Sequence, residues 1–270
     1  MIDILNEQME KAPNGLQLLV LGPSGSGKSH LGGTYPGKTL YLYGDSERHG
    51  VKSAFKEGGD NLIPVAWGSD KSGDRRSPDK AYKYIQELLN IDSLKAAGIQ
   101  FIVMDSLVDL MKVIRHTAMW TNRCATAKGG HNSFAEPDAY VEMIDPILST
   151  LRHLQEFHGI DFMVTGDLEI QEQEENGMII QTKPRLPSFS VAERVIQQFQ
   201  DIIMISRVKG KKKTGPVIQM GASATRNSVD EHGRLVKTID FTPRLADVLE
   251  PPPMIKADLK ELLLLKGITK

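Results

Sequence analysis

Gly22-Pro23-Ser24-Gly25-Ser26-Gly27-Lys28-Ser29, with His30 next in line, brings glycines, a lysine and a hydroxyl together at a spacing that can cradle phosphate. The pattern is Gly, four residues, then Gly-Lys-Ser, and it follows directly on the apolar run Leu16–Leu21. Glycines let the backbone curl so that successive N–H groups converge on one anion. A helix starting there adds its own unpaired N–H groups and its positive end. Lys28 is then placed to reach β- and γ-phosphates, and the Ser29 hydroxyl to sit on Mg²⁺.

Two acidic segments can complete such a site. Phe101-Ile102-Val103-Met104-Asp105-Ser106 is an apolar strand ending in aspartate, which puts Asp105 at the carboxyl edge of a sheet where it can hold Mg²⁺ through water. Asp105 also reads as an N-cap of the following helix, and the two roles are compatible. Thr39-Leu40-Tyr41-Leu42-Tyr43-Gly44-Asp45-Ser46-Glu47 is a second strand, ending in two acids. Glu47 is the candidate to position or deprotonate an attacking water, with Asp45 turned away or organising the turn. A solvated acidic loop is the plain alternative.

The elements needed to hold these residues are legible as alternating runs. Strand-like segments are Leu16–Leu21, Thr39–Tyr43, Leu62–Ala66, Phe101–Met104, Asp161–Thr165, Asp201–Ser206 and Val217–Met220. Helical periodicity covers Ala81–Ala97, Ser106–Trp120, Tyr140–Phe157 and Val191–Phe199. Strands as apolar as Phe101–Met104 are expected to be buried on both faces, as in a parallel sheet covered by helices. The expected fold class is therefore α/β, with a mostly parallel central sheet flanked by helices. Pro251-Pro252-Pro253 breaks the chain, and beyond it Ile255–Leu265 reads as a short amphipathic helix appended to the domain. The implied division is an N-terminal segment 1–14, a domain 15–250 and a tail 251–270.

Composition narrows the class. The 270 residues, 40% hydrophobic and 25% charged, support a sizeable core. No apolar run approaches a membrane span, and the first residues lack the basic-then-apolar order of a signal peptide. Cys124 is the only cysteine, so no internal disulfide forms and a cytoplasmic setting is expected. With a net charge of −1, any nucleic-acid contact must come from local basic segments.

The order of P-loop, strand with Asp45-Ser46-Glu47 and strand with Asp105-Ser106 resembles the RecA-type ATPase core, whose Asp-Ala-Glu glutamate activates water and whose second strand ends Asp-Ser. Within that group the chain is most similar to small phage AAA-type nucleotide-binding proteins, some of them single-strand annealing recombinases. Gly32–Tyr41, Ala139-Tyr140-Val141, Phe162–Gly166 and Lys183–Pro187 carry further similarity. The resemblance spans about residues 15–249. It implies a RecA-like fold with a C-terminal β-hairpin region, ATP and Mg²⁺ as ligands, and single-stranded DNA as partner. A homo-oligomer follows, in the host cytoplasm if the chain is phage-encoded, with a phage single-strand binding or replication protein as possible companion. Thr165 takes the place of a polar sensor of the γ-phosphate, where RecA itself has Gln. Arg226 resembles the position of a basic residue that reaches a neighbour's γ-phosphate, with an ordinary loop arginine as the alternative.

Three segments can face DNA or a neighbour. Residues 117–138 interleave Trp120 and Phe134 with Arg123, Lys128 and glycines, which suits bases that stack and phosphates that pair. Leu168–Pro187 carries Asn176-Gly177, a hairpin signal, between an acidic half and Lys183 and Arg185. Arg207–Lys213 holds five cations in seven residues. Each reads alternatively as a solvated loop. Two further functions remain open: a nucleoside or nucleotide kinase, with Arg75-Arg76 as lid arginines, and a nucleotide-dependent assembly switch with little turnover.

Overall fold

Alternation along the apolar runs decides the architecture. The computed structural model describes residues 15–70, 72–120, 137–171, 181–184, 186, 189–208, 215–219, 228–229, 235–236, 254–256 and 258–268. Along the first strand, Leu16, Leu18 and Val20 sink into one apolar layer and Leu19 and Leu21 into the other. Phe101 and Val103 part from Ile102 and Met104 in the same way, and Met163 from Phe162 and Val164. Strands with no wet face need helices on both sides of the sheet.

The elements are β1 (Gln17–Gly22), α1 (Lys28–Gly32), β2 (Thr39–Tyr43), a 3-10 turn (Asp45–Glu47), α2 (Arg48–Gly58), β3 (Leu62–Ala66), α3 (Pro78–Leu88), α4 (Ile91–Ala96), β4 (Phe101–Asp105) and α5 (Leu107–Trp120). There follow α6 (Pro137–His158), β5 (Asp161–Gln171), β6 (Gln181–Pro184), α7 (Phe189–Ile196), β7 (Asp201–Val208), β8 (Gly215–Gln219), the two-residue β9 (Ser228–Val229) and β10 (Leu235–Val236), β11 (Met254–Lys256) and α8 (Leu259–Leu265). The sheet order is β11-β8-β7-β1-β5-β4-β2-β3. From β7 to β3 every pairing is parallel. Strands β8 and β11 extend the β7 edge in antiparallel fashion, and β6 folds back antiparallel on β5. This is the expected α/β class, a mostly parallel sheet with an antiparallel C-terminal region. Among the described residues no helix is long and apolar enough to cross a membrane.

Three elements differ from the sequence reading. The expected helix 81–97 breaks into α3 and α4, because Asn90 turns extended and its side chain accepts the Ser93 N–H at 3.1 Å as a new N-cap. Helix α2 was hidden by its two glycines, Gly50 and Gly58, which weaken its helical signal. The segment after Pro253 is no appendage. Strand β11 pairs with β8, and Leu259, Leu262 and Leu263 of α8 are buried in the same layer as Leu16, Leu18 and Leu31. Lys266 fixes this helix, its buried ammonium donating to both Asp201 oxygens at 2.7 and 2.9 Å and to the Gly15 carbonyl at 3.1 Å. The Leu259 N–H donates to Thr34 Oγ1 at 2.8 Å, just past α1.

Candidate functional site

The parallel register brings the chemistry-bearing residues to one edge. Strand β5 lies between β1 and β4, with Gly22 opposite Asp167 and Met104 opposite Val164, while Tyr43 of β2 lies opposite Asp105. On β1, β2 and β4 these pairs sit at the carboxyl ends, where an open α/β sheet places its ligands.

The loop after β1 has the shape that its glycines permit. Gly25 and Gly27 adopt φ of 74° and 111°, the left-handed region that L side chains avoid. Gly27 then starts α1. A Cβ on Gly22 would lie 2.4 Å from the Ile205 carbonyl, so only glycine fits there. The Lys28 ammonium is folded onto its own loop, donating to the carbonyls of Gly22 at 2.9 Å and Pro23 at 3.1 Å. It also pairs with Asp167 at 2.8 Å. Ser26 Oγ is buried without a hydrogen-bond partner.

Asp105 is 1% exposed and its side chain accepts from three hydroxyls. Ser29 donates to Oδ2 at 2.7 Å, Tyr41 to the same oxygen at 2.5 Å, and Thr165 to Oδ1 at 2.5 Å. Such donors are what make a buried carboxylate tolerable. Burial, and secondarily the Asp105 charge, pushes the Tyr41 phenol well above its usual range, keeping it a donor. The helix that follows begins instead on Ser106, whose carbonyl accepts the Leu110 N–H at 3.0 Å. The Asp105 side chain is thus spent on the site rather than on capping. Gly50 of α2 lets this cluster close, since a Cβ there would sit 2.4 Å from Ser29 Oγ.

Glu47 lines a cleft of about 440 Å³ together with Lys28, Ser29, His30, His49 and Asp167. Its carboxylate is half-buried and accepts the Ser106 hydroxyl at 3.4 Å. Burial first, then the charges of Asp105, Asp109 and Asp167, push its pKa up to about 7 against the pull of Lys28. Asp109 fixes the turn from below: Oδ2 accepts the Ser46 N–H at 3.1 Å and also the Ser46 hydroxyl. Asp45 faces the other side of the turn, paired with Arg48 at 3.2 Å.

The sequence-selected Lys28, Ser29, His30 and Glu47 therefore share one cleft, with Asp105 beneath Ser29. Thr165 does not line it. The residue expected to sense a phosphate is fully buried with its hydroxyl on Asp105, and Asp167, two residues on, faces Lys28 instead. Arg75 and Arg76 line a neighbouring hollow rather than closing over the loop. Arg226, the cations 209–213 and the segments 121–136 and 172–180 lie outside the described residues. The strands flanking Asn176-Gly177 do pair antiparallel, Leu168 with Pro184 and Gln171 with Gln181.

Sequence reasoning missed Asp167, Tyr41 and Asp109. Asp167 carried a signal, for it follows the apolar run Phe162–Val164 much as Asp105 follows Phe101–Met104. Ser29 and Asp105 offer hydroxyl and carboxylate oxygens, the hard donors that suit Mg²⁺. No group of three His, Cys, Asp or Glu among the described residues forms a metal cage, so an ion here must complete its shell from phosphate and water. A loop with left-handed glycines and an orphaned hydroxyl fits such an anion. A family model described as AAA domain matches residues 14–236. No curated protein matches the chain.

Proposed function

The chain belongs to the AAA domain family, whose members are generally nucleotide-binding ATPases, and from that premise we propose that it is a Mg²⁺-dependent, RecA-like ATPase acting on single-stranded DNA. The observation that carries the reading is the Glu47 carboxylate, facing the phosphate-binding lysine across one cleft with its proton affinity raised to about 7. A base poised near neutral pH can accept a proton from an attacking water and later return it.

Lys28 and the N–H groups of the loop bind the phosphates of ATP. Ser29 and Asp105 hold Mg²⁺, which when bound neutralises phosphate charge. Tyr41 and Thr165 keep the Asp105 carboxylate in place when Ser29 turns from it. Arg226, or a lysine within 209–213, completes a neighbouring copy's site, which makes the working form a homo-oligomer. The segments 117–138, 168–187 and 207–213 supply contacts to the strand. The setting is recombination, annealing or replication of phage DNA in the host cytoplasm.

ATP turnover with Mg²⁺, measured with and without single-stranded DNA, tests this. DNA should stimulate wild type, and Lys28→Ala and Glu47→Gln should each abolish the stimulated rate. Turnover indifferent to DNA but rising with added nucleosides would replace the reading with a kinase. Activity in the cell that survives Glu47→Gln would mark an assembly switch instead.

A further inference from the structure

A second hollow, about 450 Å³, opens on the far side of the Asp45–Glu47 turn and matches the phosphate cleft in size. Helix α3, helix α5 and the loop after β3 wall it. Trp67, Pro78, Ala81 and Val113 give it an apolar floor, and Arg75, Arg76, Lys112 and His116 supply its basic groups. We propose that this hollow binds one nucleotide unit, its base against the apolar floor and its phosphate on the arginines.

The charges support an anion. Both acids in the lining are already matched, Asp45 by Arg48 at 3.2 Å and Asp109 by Lys112 at 2.7 Å and by both donors of Ser46. Arg75 and Arg76 have no carboxylate partner among the described residues. Arg76 is also held still. One of its nitrogens donates to the carbonyls of Ala66 at 3.2 Å, Trp67 at 3.3 Å and Ser69, and its guanidinium lies 3.9 Å over the Tyr84 ring. An immobilised guanidinium loses little freedom on meeting a phosphate. Arg75 is exposed and available beside it.

Placement argues for a strand as the source of the nucleotide. Lys112 and His116 stand on α5, the helix that runs into the aromatic and basic segment 117–138. Ser46 lines both hollows. An occupant beside Asp109 therefore touches the group that fixes the turn carrying Glu47, and strand binding gains a short route to the water-activating carboxylate. The choice of strand over free nucleotide rests on the DNA reading above; the site itself does not.

The test is fluorescence anisotropy with a labelled oligothymidylate, and with thymidine monophosphate as competitor, on wild type and on Arg75→Glu and His116→Ala. Both side chains are exposed, and binding of a fluorescent ATP analogue at the P-loop checks that each variant is intact. The expected result is oligonucleotide binding weakened about tenfold by Arg75→Glu, less by His116→Ala, with analogue binding unchanged. Wild type and Arg75→Glu binding the oligonucleotide equally would overturn the site while leaving the DNA reading standing. Binding of the monophosphate alone, read directly by the anisotropy of a fluorescently labelled thymidine monophosphate and lost in Arg75→Glu, would keep the site and remove the DNA reading. Binding of neither ligand by wild type would remove both.

Discussion

The Lys28 ammonium lies 2.8 Å from the Asp167 carboxylate, so the cation meant for phosphate already has an anion on it. Parallel register dictates the pairing, for Asp167 stands opposite Gly22, the first residue of the loop. A nucleotide must take the lysine from Asp167. The pair is partly screened, which limits its worth to about 1 kcal/mol. Asp167→Asn should therefore tighten binding of a fluorescent ATP analogue by about fivefold. Weaker binding in that variant would show that Asp167 aims the lysine instead of competing for it.

Glu47 predicts a pH profile. With its pKa pushed up to about 7, its basic form fills in as pH rises through that value, and DNA-stimulated turnover should climb with it and level off above. Glu47→Gln should be flat across the range and at least about 100-fold slower. Stability runs the opposite way. A carboxyl whose pKa is higher folded than unfolded supports the fold while protonated, so its contribution is whole below about 4.5 and is lost as pH rises through about 7. Glu47→Gln should melt at a higher temperature than wild type at pH 8, with the gap closing towards pH 5. An equal gap at both values would refute the assignment.

The hydroxyls on Asp105 are separable. Tyr41→Phe and Thr165→Val each remove one donor from a buried carboxylate and little volume. Each should cost about 1–3 kcal/mol, read as a lower urea midpoint with an unchanged slope. Ser29→Ala removes a third donor from the rim of the cleft, where water can replace it, and should cost less. Equal losses at all three positions would mean that burial does not distinguish them.

The Lys266–Asp201 pair makes a sharper claim. Lys266→Met would leave a fully buried carboxylate unneutralised and should destabilise by about 3–5 kcal/mol. Replacing both partners by apolar residues should recover most of that loss. Calorimetry on the single and double variants decides whether the pair matters as charges or only as packing.

The fold was legible because five strands carry their two-sided burial in their own composition, and the P-loop because its glycines and lysine act within eight residues. Glu47 and Asp105 could be chosen since each closely follows or ends an apolar strand, β2 and β4, which the sheet then sets side by side. What stayed hidden depends on which strands touch. Asp167 gains its meaning only from β5 lying against β1, and Tyr41 only from a phenol long enough to span from mid-strand β2 to the end of β4. Thr165 was assigned to the cleft for its place at a strand end, yet the odd–even pleat turns it under Asp105. Asn90 broke a helix whose apolar spacing alone gave no warning.

Helix α8 meets the layer beneath the P-loop through contacts 225 and 251 residues apart in sequence, Thr34 with Leu259 and Gly15 with Lys266. A chain leaving the ribosome residue by residue exposes the first apolar strand long before its cover exists. Until α8 emerges, the underside of β1 offers Leu16, Leu18 and Val20 as a sticky surface, the kind that chaperones shield and aggregates exploit. Closing contacts this distant also delays the final folding step relative to the local helices. The layer under the P-loop is then completed only with the arrival of residues that lie outside the cleft.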